Sequence, residues 1–158
     1  MKEFSSLPKL SKIVKQKEEV AETIPATSQE IDVTISDPIF TDFANVLFTA
    51  RDKAHIFHLQ TDKFSKHTAL QEFYEKLLEL VDELVETYQG QYGVIDEYSI
   101  VAKDDIGKDP EEYFTNLVKW ISTERYDYID KNDTHLHNIV DEIVASTYRT
   151  LYKLNNLA

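Results

Sequence analysis

Cysteine is missing altogether and glycine nearly so: three glycines, one methionine and one tryptophan in 158 residues. Without cysteine there is no disulfide scaffold, no thiolate metal site and no cysteine nucleophile. Three glycines fall far below the usual ~7%. That removes most of the turns and phosphate cradles on which a β-sandwich, a dinucleotide-binding sheet or a P-loop depends. Apolar runs stop after a few residues, so no membrane span is expected. Met1–Phe4 leads into SSLPKLSK rather than an apolar signal core. Together these absences lead us to expect a cytoplasmic protein with no membrane partner. The length suits one domain, able to bury roughly two thirds of its unfolded surface.

Charge is plentiful and lopsided. The net charge is −12, from 17 Lys+Arg against 29 Asp+Glu. Residues 1–17 hold five lysines and one glutamate, so the remainder of the chain sums to −16. That acidic body repels nucleic acid. Only the lysine-rich start is suited to touch phosphate, and a solvated tail is the simpler reading of it.

The chain divides into an N-terminal extension, 1–37, and a helical body, 38–158. In the extension, LPKLSKIVKQKEEVAETI suits a short basic amphipathic helix that Pro25 ends. The stretch 31–35 (IDVTI) alternates like a strand but lacks an evident partner, so it reads as extended linker. Ser36-Asp37-Pro38 opens a helix running to about Gln60, with Phe40, Phe43, Leu47, Ala50, Ala54 and Phe57 on its apolar face. A second helix is expected from about Lys66 to Gln89, ended by Gly90 and Gly93. Residues 94–109 are too long for a tight turn. Asp109-Pro110 starts a third helix with acids in its first turn. Phe114, Leu117, Ile121 and Tyr128 mark the inner face of that helix. Asn132-Asp133-Thr134 caps a fourth, and as a glycosylation triplet it carries no further meaning. The expected fold is therefore all-α: four helices, with a long crossover that lets the second and third run parallel.

Chemistry can reside in few places. There is no Gly-x-Ser-x-Gly, Gly-rich phosphate loop, EF-hand loop or His-Glu-x-x-His. Glu-x-x-His, the di-iron signature of a bundle core, is also missing; Asp52-Lys53-Ala54-His55 is a near miss. What remains is histidine and carboxylate. His55 and His58 share a face of the first helix, and His67 opens the second. Asp82 and Glu86 are four apart, on one face a turn apart. His67, Gln71, Leu78, Asp82 and Glu86 lie along the edge of the second helix's buried stripe, where a neighbouring helix or subunit would meet them. Imidazole plus carboxylate suits iron, zinc or similar ions. The plainer readings are a solvated acidic face and histidines satisfied by backbone carbonyls. His135 and His137, at the start of the fourth helix, read as exposed.

The run from Ala50 to Gly93 resembles the Dps-like miniferritins of the ferritin superfamily. The elements that carry the likeness are His58 at the end of one helix, His67 at the start of a Leu-rich helix, Asp82-Glu83-Leu84-Val85-Glu86, and a glycine-ended helix. The resemblance implies a ferritin-like four-helix bundle that assembles as a homo-oligomer, from dimer to dodecamer. It implies iron held between subunits: His58 and His67 from one, Asp82 and Glu86 from a twofold partner. Ferroxidase activity, commonly with peroxide, and iron storage would follow. The sequence departs from the pattern in four ways. Leu59 replaces a Trp, Gln71 replaces a carboxylate, and a long N-terminal segment is added. His58 and His67 are also closer than usual, and counting from His55 restores the spacing, which makes His55 the reserve ligand. These departures point to a divergent branch of that family, a phage-encoded one acting in the host cytoplasm being one form of it. Two other functions compete. One is a bundle without catalysis that serves as an interaction or structural module, viral or otherwise. The other is DNA protection through the lysines of residues 1–17.

Overall fold

The computed structural model describes residues 34–98 and 109–157. Four long helices make up most of it. Helix α1 is Pro38–Gln60, α2 is Phe64–Tyr92, α3 is Pro110–Glu124 and α4 is Thr134–Asn156. A single turn of 3₁₀ helix, Arg125–Asp127, follows α3. Two short strands, β1 (Thr34–Ile35) and β2 (Val94–Ile95), pair in parallel, Thr34 with Val94 and Ile35 with Ile95. The all-α expectation holds. The basic helix expected within residues 1–33, and most of the extension with it, falls outside the described residues.

The helix starts follow from local chemistry. Asp37 Oδ1 accepts from the amides of Ile39 and Phe40 at 3.2 and 3.1 Å, with Pro38 at the first helical position. Asp109 Oδ1 accepts from the Glu112 amide at 3.1 Å, and Glu111 and Glu112 meet the positive end of the α3 dipole. α4 departs from expectation. Asp133 stands at its cap position, but its carboxylate makes no cap bond and is drawn to α2 instead.

Contacts at the helix ends give the directions. Asp37 at the start of α1 meets Tyr88 near the end of α2, so those two are antiparallel. Tyr92 meets Asp133, and Glu72 meets Lys153, so α2 and α4 are antiparallel. Lys66 and Glu111, at the starts of α2 and α3, form a half-buried ion pair. α2 and α3 therefore begin at the same end and run parallel. α2 is flanked by α1 and α4, and α3 packs chiefly on α4.

The interior is apolar along its length. Phe40, Phe43, Leu47, Phe73, Leu77, Leu84, Phe114, Leu117, Ile121 and Leu136 are essentially sealed from water. Each such side chain contributes about 1.5–3 kcal/mol relative to exposure. Apolar residues at three- and four-residue steps turn one face of every helix inward, so hydrophobic burial sets the bundle.

Three local expectations are corrected. The segment at Thr34–Ile35 is not partnerless: it pairs with β2, whose residues read as part of the long connection. Gly90 does not end α2; the helix passes through it and stops at Gly93, whose φ of 106° only glycine adopts readily. Tyr128 lies beyond α3, although it is buried as expected.

Gly90 sits exposed inside a helix, and an added Cβ would meet nothing within 4 Å. Gly90→Ala is therefore expected to raise unfolding free energy by about 0.5–1 kcal/mol, read from a urea titration. A loss of stability would mean that the backbone at Gly90 is not helical.

Candidate functional site

The three-residue link between α1 and α2 brings His58 and His67 together. His58 Nδ1 lies 2.9 Å from the carbonyl oxygen of His67, and His67 Nδ1 lies 3.0 Å from the carbonyl oxygen of His58. The rings stack with centroids 3.6 Å apart. A carbonyl can only accept, so each Nδ1 carries the hydrogen and donates it. In the neutral ring this leaves both Nε2 atoms with free lone pairs. Fixing the tautomer through an Nδ1–H···O=C bond is the usual support for a histidine that binds metal through Nε2. It is equally a clasp that closes the turn.

His55, one turn earlier on α1, has its ring 5.9 Å from that of His58. Tyr74 on α2 touches both, at 4.6 Å from His55 and 5.5 Å from His58. Sequence reasoning missed Tyr74. The available signal was its place two turns after His67 on the same helical face. His58 is buried, while His55 and His67 are half-buried.

Asp82 and Glu86 are exposed on α2. The helix rise puts Asp82 about 22 Å from His67 along the axis, so one chain cannot bring both sets of donors to one ion. Among the described residues, no group of three or more His, Asp or Glu in one chain lies close enough to hold a metal ion. The donors that do converge are the two imidazoles, joined by His55 nearby. Their chemistry fits a metal that takes further oxygen ligands from outside the chain. His135 is exposed as expected, but His137 is not. It is buried against Tyr126, with its Nε2 3.0 Å from the Asp130 carbonyl. The turn of 3₁₀ helix places Tyr126 over that position, which no local pattern signals.

A second polar cluster lies at the opposite end. Asp37 accepts from the Tyr88 hydroxyl as well as from its own helix start. Asp133 accepts from the Tyr92 hydroxyl at 2.5 Å and from Gln91 Nε2 at 2.9 Å. Both aspartates are buried. Burial, followed by the aspartate contacts, pushes Tyr88 and Tyr92 well above the ordinary tyrosine range. Tyr128 is pushed up to about 12, first by burial and then by Asp42, Glu124 and Asp127.

A raised tyrosine pKa stabilises the fold fully below the unfolded value near 10, and that contribution fades as pH climbs through the folded value. The urea midpoint is therefore expected to drop between about pH 10 and pH 12, and to drop less in Tyr128→Phe. An equal drop in Tyr128→Phe would remove this residue from the account.

Residues 58–154, more than half the chain, match a family of unknown function, DUF5856. The chain belongs to this family. The matched span opens at His58 and takes in His67, Asp82 and Glu86, while His55 and most of α1 fall before it. Neither the curated proteins nor the solved structures contain a match to the chain. No helix among the described residues is long and apolar enough to cross a membrane.

Proposed function

We propose that this chain is the subunit of a ferritin-like assembly that takes up Fe²⁺ at sites shared between two copies. His58 and His67 would come from one copy, Asp82 and Glu86 from the other, with His55 as the reserve ligand. The observation that carries the reading is the reciprocal hydrogen bonding of the two histidines, in which each Nδ1 donates to a carbonyl and, in the neutral ring, each Nε2 keeps its lone pair. Two features support it. α2 and α3 run parallel across a long connection, the arrangement of bundles with one crossover. Asp82 and Glu86 are exposed and too distant to serve their own histidines.

Iron is the substrate here, and its oxidation would pass electrons to peroxide or oxygen. The chain's own part is to hold the imidazoles in one tautomer and to supply carboxylates that neutralise the ion. Asp82→Ala combined with Glu86→Ala is expected to abolish Fe²⁺ oxidation, followed by absorbance, while size by light scattering is unchanged. Oxidation at the original rate in that variant would remove the site assignment.

One observation favours a second reading. The stacked histidines already satisfy each other's backbone, so they serve as a structural clasp without metal, and the bundle would then be an interaction module. Metal titration separates the two readings, because a clasp alone leaves the protein empty. DNA protection rests on lysines outside the described residues. Deleting residues 1–17 would test it by removing any gel shift.

A further inference from the structure

α1 lacks the solvated stripe that a surface helix carries. Of its 23 residues only Pro38, Asp52, Leu59 and Gln60 are exposed, and three of those lie at its ends. α2 meets it through Phe40, His55 and His58. α3 meets it through Phe43 and Phe57, with Lys53 over the Tyr113 ring. Opposite those contacts, at 100° per residue, Thr41, Asn45, Phe48, Thr49, Asp52 and Ile56 share an arc of about 100°. Packed only on α2 and α3, the helix would keep this arc wet. Instead Thr41 and Asn45 are 7% and 6% exposed, and Phe48, Thr49 and Ile56 are half-buried. The Tyr98 ring, 6.4 Å from that of Phe48, touches one position of an arc about 22 Å long.

The sequence ahead of β1 holds a segment of matching form. On a helical wheel, residues 7–24 place Leu7, Leu10, Ile13, Val14, Val20 and Ile24 within an arc of about 140°. Lys17 is the one charge inside that arc; Lys9, Lys12, Lys15, Glu18, Glu19 and Glu22 lie outside it. A stripe of this kind calls for a surface to cover. Eighteen helical residues measure about 27 Å, enough for the arc on α1. The tether favours α1 as the surface. Residue 33 joins β1 at Thr34, just ahead of the start of α1. The nine residues 25–33 reach at most about 30 Å, which keeps the segment at high local concentration beside α1. Charge acts in the same direction: residues 1–17 carry +4 and the remainder −16.

We propose that residues 7–24 dock as a helix on the outer face of α1 of the same chain. The stripe from Leu7 to Ile24 covers the arc from Thr41 to Ile56, and the lysines of the segment are held over the acidic body. The docking surface stands independently of the iron reading and of the clasp.

Disulfide trapping in the full chain tests it, since no native cysteine interferes. Asp52→Cys, at the exposed point of the arc, is combined in turn with a cysteine substitution at each position from 7 to 24, and each variant is oxidised. A disulfide needs Cα atoms within about 7 Å. Capture is therefore expected within one chain at one or two adjacent turns of the segment. With Glu79→Cys on α2 as the anchor instead, no capture is expected. Even capture along the segment, capture chiefly between chains, or no capture at all would each overturn the proposal. Leu10→Asp with Val14→Asp supplies a second reading that needs no cross-link. Amide hydrogen exchange from Thr41 to Ile56 is expected to quicken by about tenfold or more relative to α4. Exchange in α1 as slow as in the wild type would likewise overturn the docking.

Discussion

Asp37→Ala is expected to lower the unfolding free energy by about 2–4 kcal/mol. Two losses combine. The amides of Ile39 and Phe40 lose their acceptor at the start of α1, worth about 0.5–2 kcal/mol for a helix cap. The Tyr88 hydroxyl, buried against Phe40 at a ring distance of 3.6 Å, is left without its acceptor, which costs about 1–3 kcal/mol. Adding Tyr88→Phe should recover part of this, because the orphaned hydroxyl goes with it. Chemical denaturation of the two single variants and the double variant measures the effect. Strict additivity would mean that the two residues do not act through one bond.

His67→Ala is expected to act on two levels. It removes the ring that donates to the His58 carbonyl and stacks on the His58 ring, costing about 1–2 kcal/mol of stability. On the iron reading it also removes half of the imidazole set, and oxidation falls to background. The clasp explains the first effect alone. Asp82→Ala and Glu86→Ala separate the two, because both residues are exposed and touch nothing at the turn.

How far the sequence carried the account varies by region. The helices were legible because their apolar residues recur at three- and four-residue steps, and because Asp37-Pro38 and Asp109-Pro110 combine a capping side chain with a residue that can start a helix. Local chemistry alone settles both. The approach of His58 to His67 was legible too, since only a short link separates their helices.

What stayed hidden depended on distant partners. Asp133 reads as a helix cap, yet Tyr92 and Gln91, some forty residues earlier, take its carboxylate. Thr34–Ile35 read as part of a linker because their pairing partner, Val94–Ile95, lies beyond two helices. Gly90 read as a stop because glycine so often ends a helix, but Gly93 follows and adopts the positive φ that the ending needs. His137 read as exposed because the turn that covers it with Tyr126 has no periodic signature.

The most direct test of the shared site is complementation. His67→Ala and the Asp82→Ala/Glu86→Ala variant are each expected to oxidise no Fe²⁺ above background. When the two are unfolded together and refolded as an equal mixture, half of the pairs should be mixed, and each mixed pair has one intact site of its two. About a quarter of wild-type iron binding and oxidation should then return. Activity that returns to this level places the histidines and carboxylates in one site built by two chains. A mixture as inactive as its components would contradict the account and leave the histidine pair as a clasp.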